Sequence, residues 1–445
     1  MSAAVDERSW FEQLVAHSGH VSTDQNPAWF DSARAQARQA LAELPVPNRK
    51  QESWRYSAVE GLLKHSFQPA AASAVSSLQE LDSAGRLLPA GAAYRLVFAD
   101  GYFVPQLSSD ARLPDGVTLG NLRTALGSDS QWLARWFDQA ASHAGHLFTA
   151  LNTALANDGA LLHVEANIAV DRPIEIVYLN LDQSAATLMQ PRNLVVLESG
   201  ASATLVEHFR GDDAALYFNN TLSEIVLGDG ATLMHYRVQE ESRSAWHLSS
   251  LYLSQAQHSR YRGTTLAFGG AWSRTDYNAH FMHAGAECDL NGLYTVGDRQ
   301  LTDFHLDVQH SVPGCRSRER FKGILYGKGR AVFDGRILVD KQAQLSDAQL
   351  TNDNLMLTRD AEVDTKPQLE IYADDVKCSH GTTVGQLDPE QVFYLRSRGL
   401  AASAAHKMLC LGFAGEIIDT IELPALRDYA TSRLADTINA AVVEG

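Results

Sequence analysis

Two stretches of the chain carry hydrophobic residues at helical spacing. The first covers residues 29–44, follows Asn26-Pro27 and stops at Pro45. An asparagine cap followed by proline at the first helical position is a typical helix start. The second stretch covers residues 130–156 and stops at Asn157-Asp158-Gly159. This spacing predicts a helix in each stretch.

The pattern changes at about residue 160, where short runs of Val, Ile, Leu and Thr alternate with glycine turns. The sequence Leu197-Glu198-Ser199-Gly200-Ala201 is echoed 30 residues later by Leu227-Gly228-Asp229-Gly230-Ala231, and further copies begin at Gly329 and Asp360. Repeated short strands without intervening helices indicate a β-solenoid or a β-sandwich. The small-residue turns and the loose period favour a parallel β-helix, in which each coil packs its inward side chains on the next coil.

Helical patterns return after the β region, beginning at Asp388-Pro389. A solenoid has two open ends, and we expect the terminal helical regions to cap them. The predicted parts are an N-terminal helical region (1–90), a mixed connecting region with a helix (91–160), a β-helix core (161–387) and a C-terminal helical domain (388–445).

The composition narrows the choice of partners. Lys and Arg total 37 against 53 Asp and Glu in 445 residues, which gives a net charge of −16. Such a field repels nucleic-acid phosphates and anionic lipid, so neither is expected as a partner. We expect a cytoplasmic protein, because no secretory signal and no long apolar run is found. The four cysteines contain no Cys-x-x-Cys pair and are expected to be thiols.

The motifs argue against an independent enzyme. Residues 323–329 resemble a phosphate-binding loop but have one residue too few between the glycines, and no Ser or Thr follows Lys328. The chain is therefore not expected to hydrolyse ATP alone. No Gly-x-Ser-x-Gly motif occurs, and Ser379 and His380 would face opposite sides of a strand, which argues against a nucleophilic hydrolase.

The most informative chemistry lies in residues 366–381, where a β-type pattern leads into Cys378 and His380. Residues two apart on a strand point to the same side, so this thiol and imidazole would face together. A sulfur donor beside a nitrogen donor suits iron, zinc or copper(I). Two donors do not complete a site, and a purely structural role for the pair stays open at this point.

Two other groups combine histidine and cysteine within about ten residues and are candidate metal sites. They are His280, His283 and Cys288, and His305, His310 and Cys315. We interpret both groups as surface or turn histidines near a buried thiol.

Several segments together resemble the SufB/SufD family of iron–sulfur cluster assembly proteins. The long C-terminal block is the most specific of them, and the resemblance spans most of the chain. The segments are residues 366–381, Val384-Gly385, residues 393–399, Glu52-Ser53-Trp54-Arg55-Tyr56, residues 146–152 with Asp158-Gly159, and residues 329–333. Within the family the sequence is most similar to SufD, because of the form Cys378-Ser379-His380-Gly381 and the small number of cysteines.

The resemblance implies a right-handed parallel β-helix between N-terminal and C-terminal helical regions. It implies pairing with SufB through the β-helix end, and with the ATPase SufC through the C-terminal helices. His380 would lie near the SufB–SufD junction and face a SufB cysteine, with Cys378 as the second candidate. Glu370, Asp374 and Asp375 are weaker candidates that offer hard oxygen donors to incoming iron, although solvated or turn-capping roles are the plainer interpretation.

The resulting expectation is that ATP-driven SufC dimerisation opens the junction and that His380 helps iron to enter or a cluster to form. The isolated chain is not expected to hold a cofactor tightly; iron or an iron–sulfur cluster would pass through the complex. Whether a flavin associates with the complex stays open. Without SufB, the strand edges at the solenoid end favour a homodimer.

Three alternatives remain at this stage. The chain is a SufB-like scaffold itself, a structural partner without a metal role, or a β-helix enzyme acting on polysaccharide. The last alternative would call for a signal peptide and for clustered acidic residues along one solenoid face.

Overall fold

The computed structural model describes residues 7–18, 26–70, 94–109, 112–128, 131–141, 146–181, 185–213 and 215–443. Helices flank a β core in these residues. The α-helices are α1 (Glu7–Ser18), α2 (Ala28–Glu43), α3 (Leu122–Ser128), α4 (Gln131–Trp136), α5 (Leu147–Leu155), α6 (Pro389–Ser397), α7 (Ala402–Ile418) and α8 (Pro424–Val443). Short 3-10 helices cover Glu52–Trp54, Val59–Lys64 and Pro105–Leu107.

The strands form two sheets. Sheet A contains β1 (Gln68–Pro69), β4 (Val117–Asn121), β5 (Ala160–Val164), β7 (Thr187–Met189), β8 (Arg192–Leu197), β10 (Tyr217–Leu227), β12 (Trp246–Gln255), β14 (Trp272–Phe281), β16 (Leu301–His310), β18 (Arg330–Val339) and β20 (Glu362–Ile371). Sheet B contains β2 (Tyr94–Ala99), β3 (Tyr102–Phe103), β6 (Ile174–Asn180), β9 (Ser202–Gly211), β11 (Thr232–Glu240), β13 (Arg260–Ala267), β15 (Glu287–Val296), β17 (Arg316–Leu325), β19 (Asp347–Met356) and β21 (Lys377–Gly385).

From β8 onward, consecutive strands alternate between the sheets and each pairs in parallel with the strand two further on, so these strands form a parallel β-solenoid of about seven turns. In these strands, in-register partners lie between 26 residues (Trp246 and Trp272) and 32 residues (Arg330 and Glu362) apart. The solenoid predicted from the repeating turns is therefore confirmed, and the echoed glycines explain its corners. Gly200 and Gly230 have φ of +71° and +67°, a conformation that glycine adopts without a steric penalty.

The inward side chains of the two sheets form one continuous apolar core, from Leu96 near the first coil to Leu350 near the last. The early coils also bury charge in this interior. The Glu207 carboxylate accepts hydrogen bonds from Arg237 Nε at 2.8 Å and lies 3.1 Å from His235 Nε2. Burial alone would raise the pKa of Glu207, but Arg237 and His235 outweigh it and lower the pKa to about 2.

The N-terminal region packs on the outer face of sheet A, where α1, α2 and α5 contact Phe218, Leu248 and Trp272. The segment 52–57 is fastened further along the same face by Arg274, which donates to Ser53 O at 2.7 Å and stacks over Trp54. These helices therefore cover a sheet face and not the solenoid end that the sequence suggested, because the strands of sheet A carry apolar side chains on both faces.

The C-terminal helices α7 and α8 pack on the outer face of sheet B, along a row from Val206 to Leu355. A polar cluster reinforces this contact. Glu240 accepts hydrogen bonds from Tyr429 Oη and from Arg433 Nε, the latter at 2.6 Å, and its carboxylate lies 3.3 Å from His208 Nε2. These helices also cover a face and not an end.

The two ends of the solenoid differ. At the first end, β4 pairs antiparallel with β5, and the hairpin of β2 and β3 closes the other sheet. At the other end, β20 and β21 are the last strands of their sheets in the described part of the chain. Every residue of β21 is exposed except Cys378, which is half-buried.

Two helix predictions need adjustment. The stretch 130–156 contains two helices, α4 and α5, and not one. Helix α2 begins at Ala28, after Pro27 in an extended conformation, so Asn26 is not the capping residue. The C-terminal start is as predicted, since the Asp388 side chain accepts from Glu390 N at 2.8 Å and Pro389 opens α6. No helix in the described ranges has both the length and the hydrophobicity needed to cross a bilayer.

Candidate functional site

Cys378 and His380 lie on the core-facing side of β21. Their in-register partners on β19 are Ala348 and Leu350, both fully buried in the solenoid core. In parallel sheets, residues in register point to the same side, so the thiol and the imidazole continue two interior columns. Ser379 between them faces outward. His380 thus occupies a core position that is exposed because no strand follows β21 among the described residues.

The same end exposes other inward positions of the last coil. Ile371 is 40% exposed although its partner Val339 is fully buried. Thr365 and Thr382 meet across the interior, with their hydroxyl oxygens 3.1 Å apart. The uncovered interior of the last coil, which we term the end face, therefore mixes apolar groups with a thiol, an imidazole and two hydroxyls.

The Cys378 thiol is protonated at neutral pH. Burial raises its pKa above the ordinary value, and the neighbouring charge of Asp347 adds to the rise. A thiol must lose its proton to become a strong metal ligand, so binding at Cys378 would release a proton.

Glu370 does not join this pair. It lies on the outer side of β20, where its carboxylate accepts from Arg336 Nε at 2.7 Å and from Nη2 at 3.3 Å. This hydrogen bonding lowers the pKa of Glu370. The carboxylate is thus engaged on a different face from Cys378 and His380.

Asp374 and Asp375 lie in the exposed turn that connects β20 to β21. The backbone of Asp375 is fixed to the turn below, because its amide donates to Gln344 Oε1 at 2.9 Å and its carbonyl accepts from Leu345 N at 2.6 Å. The two carboxyl groups therefore lie at a corner of the last coil and not on the core-facing row.

The other histidine and cysteine groups are dispersed. His280 is exposed and lies 3.1 Å from Ser311 Oγ, whereas Cys288 is buried in the core. His305 lies on the outer face near Asp303, whereas His310 is inside and bonds Ser317. Within the described residues, no group of three or more His, Cys, Asp or Glu side chains is placed to hold a metal ion.

Sequence reasoning missed Glu319, which lies beneath His380 in the same interior column, separated from it by Leu350. Glu319 is fully buried, and burial raises its pKa to about 8. No ion pair within the described ranges includes it. The alternation Arg316-Ser317-Arg318-Glu319-Arg320 carries the signal, because the three arginines must face solvent and so direct Glu319 inward.

A second exposed surface lies on the C-terminal helices. No side chain of α6 is buried, and Phe393 is 73% exposed. An apolar groove of about 950 Å³ lies between α6 and α7 and is lined by Leu355, Leu387, Tyr394, Leu395, Met408 and Phe413. Among the exposed large hydrophobic residues of the described ranges, Phe393, Tyr394, Leu400 and Met408 lie on or beside α6 and α7, and Ile371, Tyr372 and Val384 lie in the last coil.

A cavity of about 490 Å³ separates the N-terminal segment from the outer face of sheet A. Its cations are matched by carboxylates: Arg336 contacts Asp307, and Lys366 contacts both Glu52 and Asp334. The pair of Lys366 with Glu52 joins the N-terminal segment to the last strand of the sheet, and the other two pairs join neighbouring strands.

The comparisons with known proteins cover nearly the whole chain. The SUF system FeS cluster assembly SufBD core domain matches residues 179–413, and the SufBD protein N-terminal region matches residues 6–176. An iron–sulfur cluster assembly SufBD family protein of Synechocystis is 33% identical over 402 residues, covering 88% of each chain.

Two further relatives carry the name iron–sulfur cluster assembly protein SufD. The Escherichia coli protein is 32% identical over 408 residues, covering 91% of this chain and 92% of its own length. The Bacillus subtilis protein is 26% identical over 428 residues, covering 92% and 94%. With its solenoid core and both domain matches, the chain belongs to the SufB/SufD family of iron–sulfur cluster assembly proteins.

Proposed function

We propose that this chain is a SufD-like subunit of a cytoplasmic SufB–SufC–SufD complex and that it helps iron to enter and a cluster to form at the junction with SufB. The observation that carries the proposal is the position of Cys378 and His380, which face the core from a last strand that has no covering strand in the described residues. A docking chain would enclose both donors.

The chemistry of the end face supports a shared site. His380 and Cys378 offer one nitrogen and one sulfur donor, and iron is commonly held by such ligands. A partner strand would add the remaining donors and exclude water. His380 is the first ligand in this scheme, because Cys378 must give up a proton before it binds well. Iron and the nascent cluster are cargo, and the isolated chain keeps neither.

Pairing with SufC is assigned to the groove between α6 and α7. Phe393, Tyr394 and Met408 expose apolar area there, and surfaces of this kind are typical of protein–protein contacts. ATP hydrolysis would belong to SufC, and this chain would have no catalytic site of its own. When SufB is missing, the unpaired strand edges of β20 and β21 favour pairing of two copies.

The test replaces His380 with alanine in the co-expressed complex of this chain with its SufB and SufC. Iron content and cluster formation should fall to a small fraction of the wild-type values, whereas Ser379→Ala, on the outward side of the same strand, should leave both unchanged. Size-exclusion chromatography should give the same complex for both variants. Unchanged iron and cluster in the His380 variant would favour a structural partner without a metal role.

A further inference from the structure

One outer column of sheet B alternates in charge along the solenoid. Its five members occupy successive strands in register and have exposed or half-buried side chains. They are Arg260, Glu287, Arg316, Asp347 and Lys377. Glu287 lies 3.8 Å from Arg260 and 3.9 Å from Arg316, and Arg316 lies 4.0 Å from Asp347. We term this set the charge column.

The charge column ends on a cation at the uncovered edge. Within the column, Glu287 and Arg316 each lie between two residues of opposite charge, whereas Lys377 is followed by no strand among the described residues. The neighbouring outer column differs, because it runs from Asp289 through Arg318 to the neutral Gln349 and Ser379. At the edge of sheet B, Lys377 is therefore the only charged residue in the outward row of β21.

We propose that the chain docking on the end face presents a carboxylate to Lys377, and that this contact selects the partner and its register. The inference rests on the proposed function, since it names the chemistry of the chain that pairs there. Like charges directly opposite each other destabilise neighbouring strands, and opposite charges stabilise them. A slip of one residue would move the carboxylate to the core side, so the contact also opposes misaligned docking.

A second copy of this chain that paired β21 with its own β21 would not satisfy Lys377. The outward row of β21 consists of Lys377, Ser379, Gly381, Thr383 and Gly385, and it contains no carboxylate. The charge column thus favours a different chain over that symmetric arrangement. Exposed ion pairs add little affinity, but they set association rate and specificity.

The experiment measures binding of the full-length chain to its SufB by isothermal titration at low and high salt. Lys377→Glu should weaken binding about tenfold at low salt, and about 0.5 M salt should remove most of the difference. Lys377→Gln should give a smaller loss. Lys341→Glu, an exposed change of the same charge in a nearby turn, should bind like wild type. A partner variant with lysine in place of the facing carboxylate should restore binding to Lys377→Glu.

The outcomes separate the two proposals. The charge contact is overturned if Lys377→Glu and wild type bind with equal affinity at low salt. It is also overturned if the variant loses the same affinity at low and at high salt. The variant Ile371→Asp places a charge at an inward position of the end face and should abolish pairing. If Ile371→Asp binds normally, pairing through this face is wrong and the charge contact is overturned with it.

Discussion

The two ends of the solenoid differ in how their strand edges and inward side chains are covered. At the first end, antiparallel β4 and the hairpin of β2 and β3 close the sheets, and the coils behind them bury the ionised Glu207. At the last end, β20 and β21 leave inward side chains exposed. A strand edge without a cover favours pairing with another chain, so the difference supports the proposal that a partner docks at the last end.

The largest expected effect tests the closed end. Glu207→Gln should lower the free energy of unfolding by about 3–5 kcal/mol, because Arg237 loses a buried ionic partner and His235 an acceptor. Urea unfolding of the isolated chain measures it. The matched control is Glu370→Gln at the open end, whose carboxylate is exposed beside Arg336, and it should leave the unfolding midpoint unchanged. Equal effects of the two changes would contradict the comparison.

The same truncation at two inward isoleucines sharpens the contrast. Ile337 is fully buried on β18, whereas Ile371 on the last strand is 40% exposed. Ile337→Ala should cost about 2–4 kcal/mol of unfolding free energy, since it leaves a cavity in a packed core. Ile371→Ala should cost much less in the isolated chain and should weaken partner binding. A large loss of stability from Ile371→Ala would mean that the last coil is already covered.

The last prediction concerns the pH dependence of stability and Glu319, which is buried in the core behind Leu350 and His380. Its folded pKa of about 8 exceeds the ordinary value of 4.5, so the folded state holds a proton that the unfolded state has lost between these pH values. The free energy of unfolding should therefore fall as pH rises from about 5 to about 8, by up to about 1.4 kcal/mol per unit, and then level off. Denaturant titrations of wild type and Glu319→Gln across this range isolate the effect, because the variant lacks this slope. Parallel curves would show that Glu319 is paired.

The solenoid repeat could be predicted from the sequence because its turns need glycine. The 30-residue echo between Gly200 and Gly230 gives the coil length, and Pro389 marks the start of the C-terminal helices. The sheet faces on which the terminal helices pack could not be predicted from the sequence. A helix pattern shows that one side is apolar but not which surface covers it, and the clue lay in outward residues such as Phe218 and Trp272.

The candidate site was predicted in part. Alternation along β21 places Cys378 and His380 together, but it does not decide which side faces the core, because most residues of β21 are polar or glycine. Register with Ala348 and Leu350 decides the side. Alternation along β20 places Glu370 on the outer side, away from Cys378 and His380. Composition alone would have grouped all three residues.

The attachment of the C-terminal helices has a mechanical consequence. Their apolar contacts extend from Val206 on β9 to Leu355 on β19, and among the described residues this cluster includes none from β21. A force applied to α7 and α8 would be spread over many strands, because the contacts extend along most of sheet B. The coils would then move as one stiff body, and the compliance would concentrate beyond the last strand, where the proposed partner would dock.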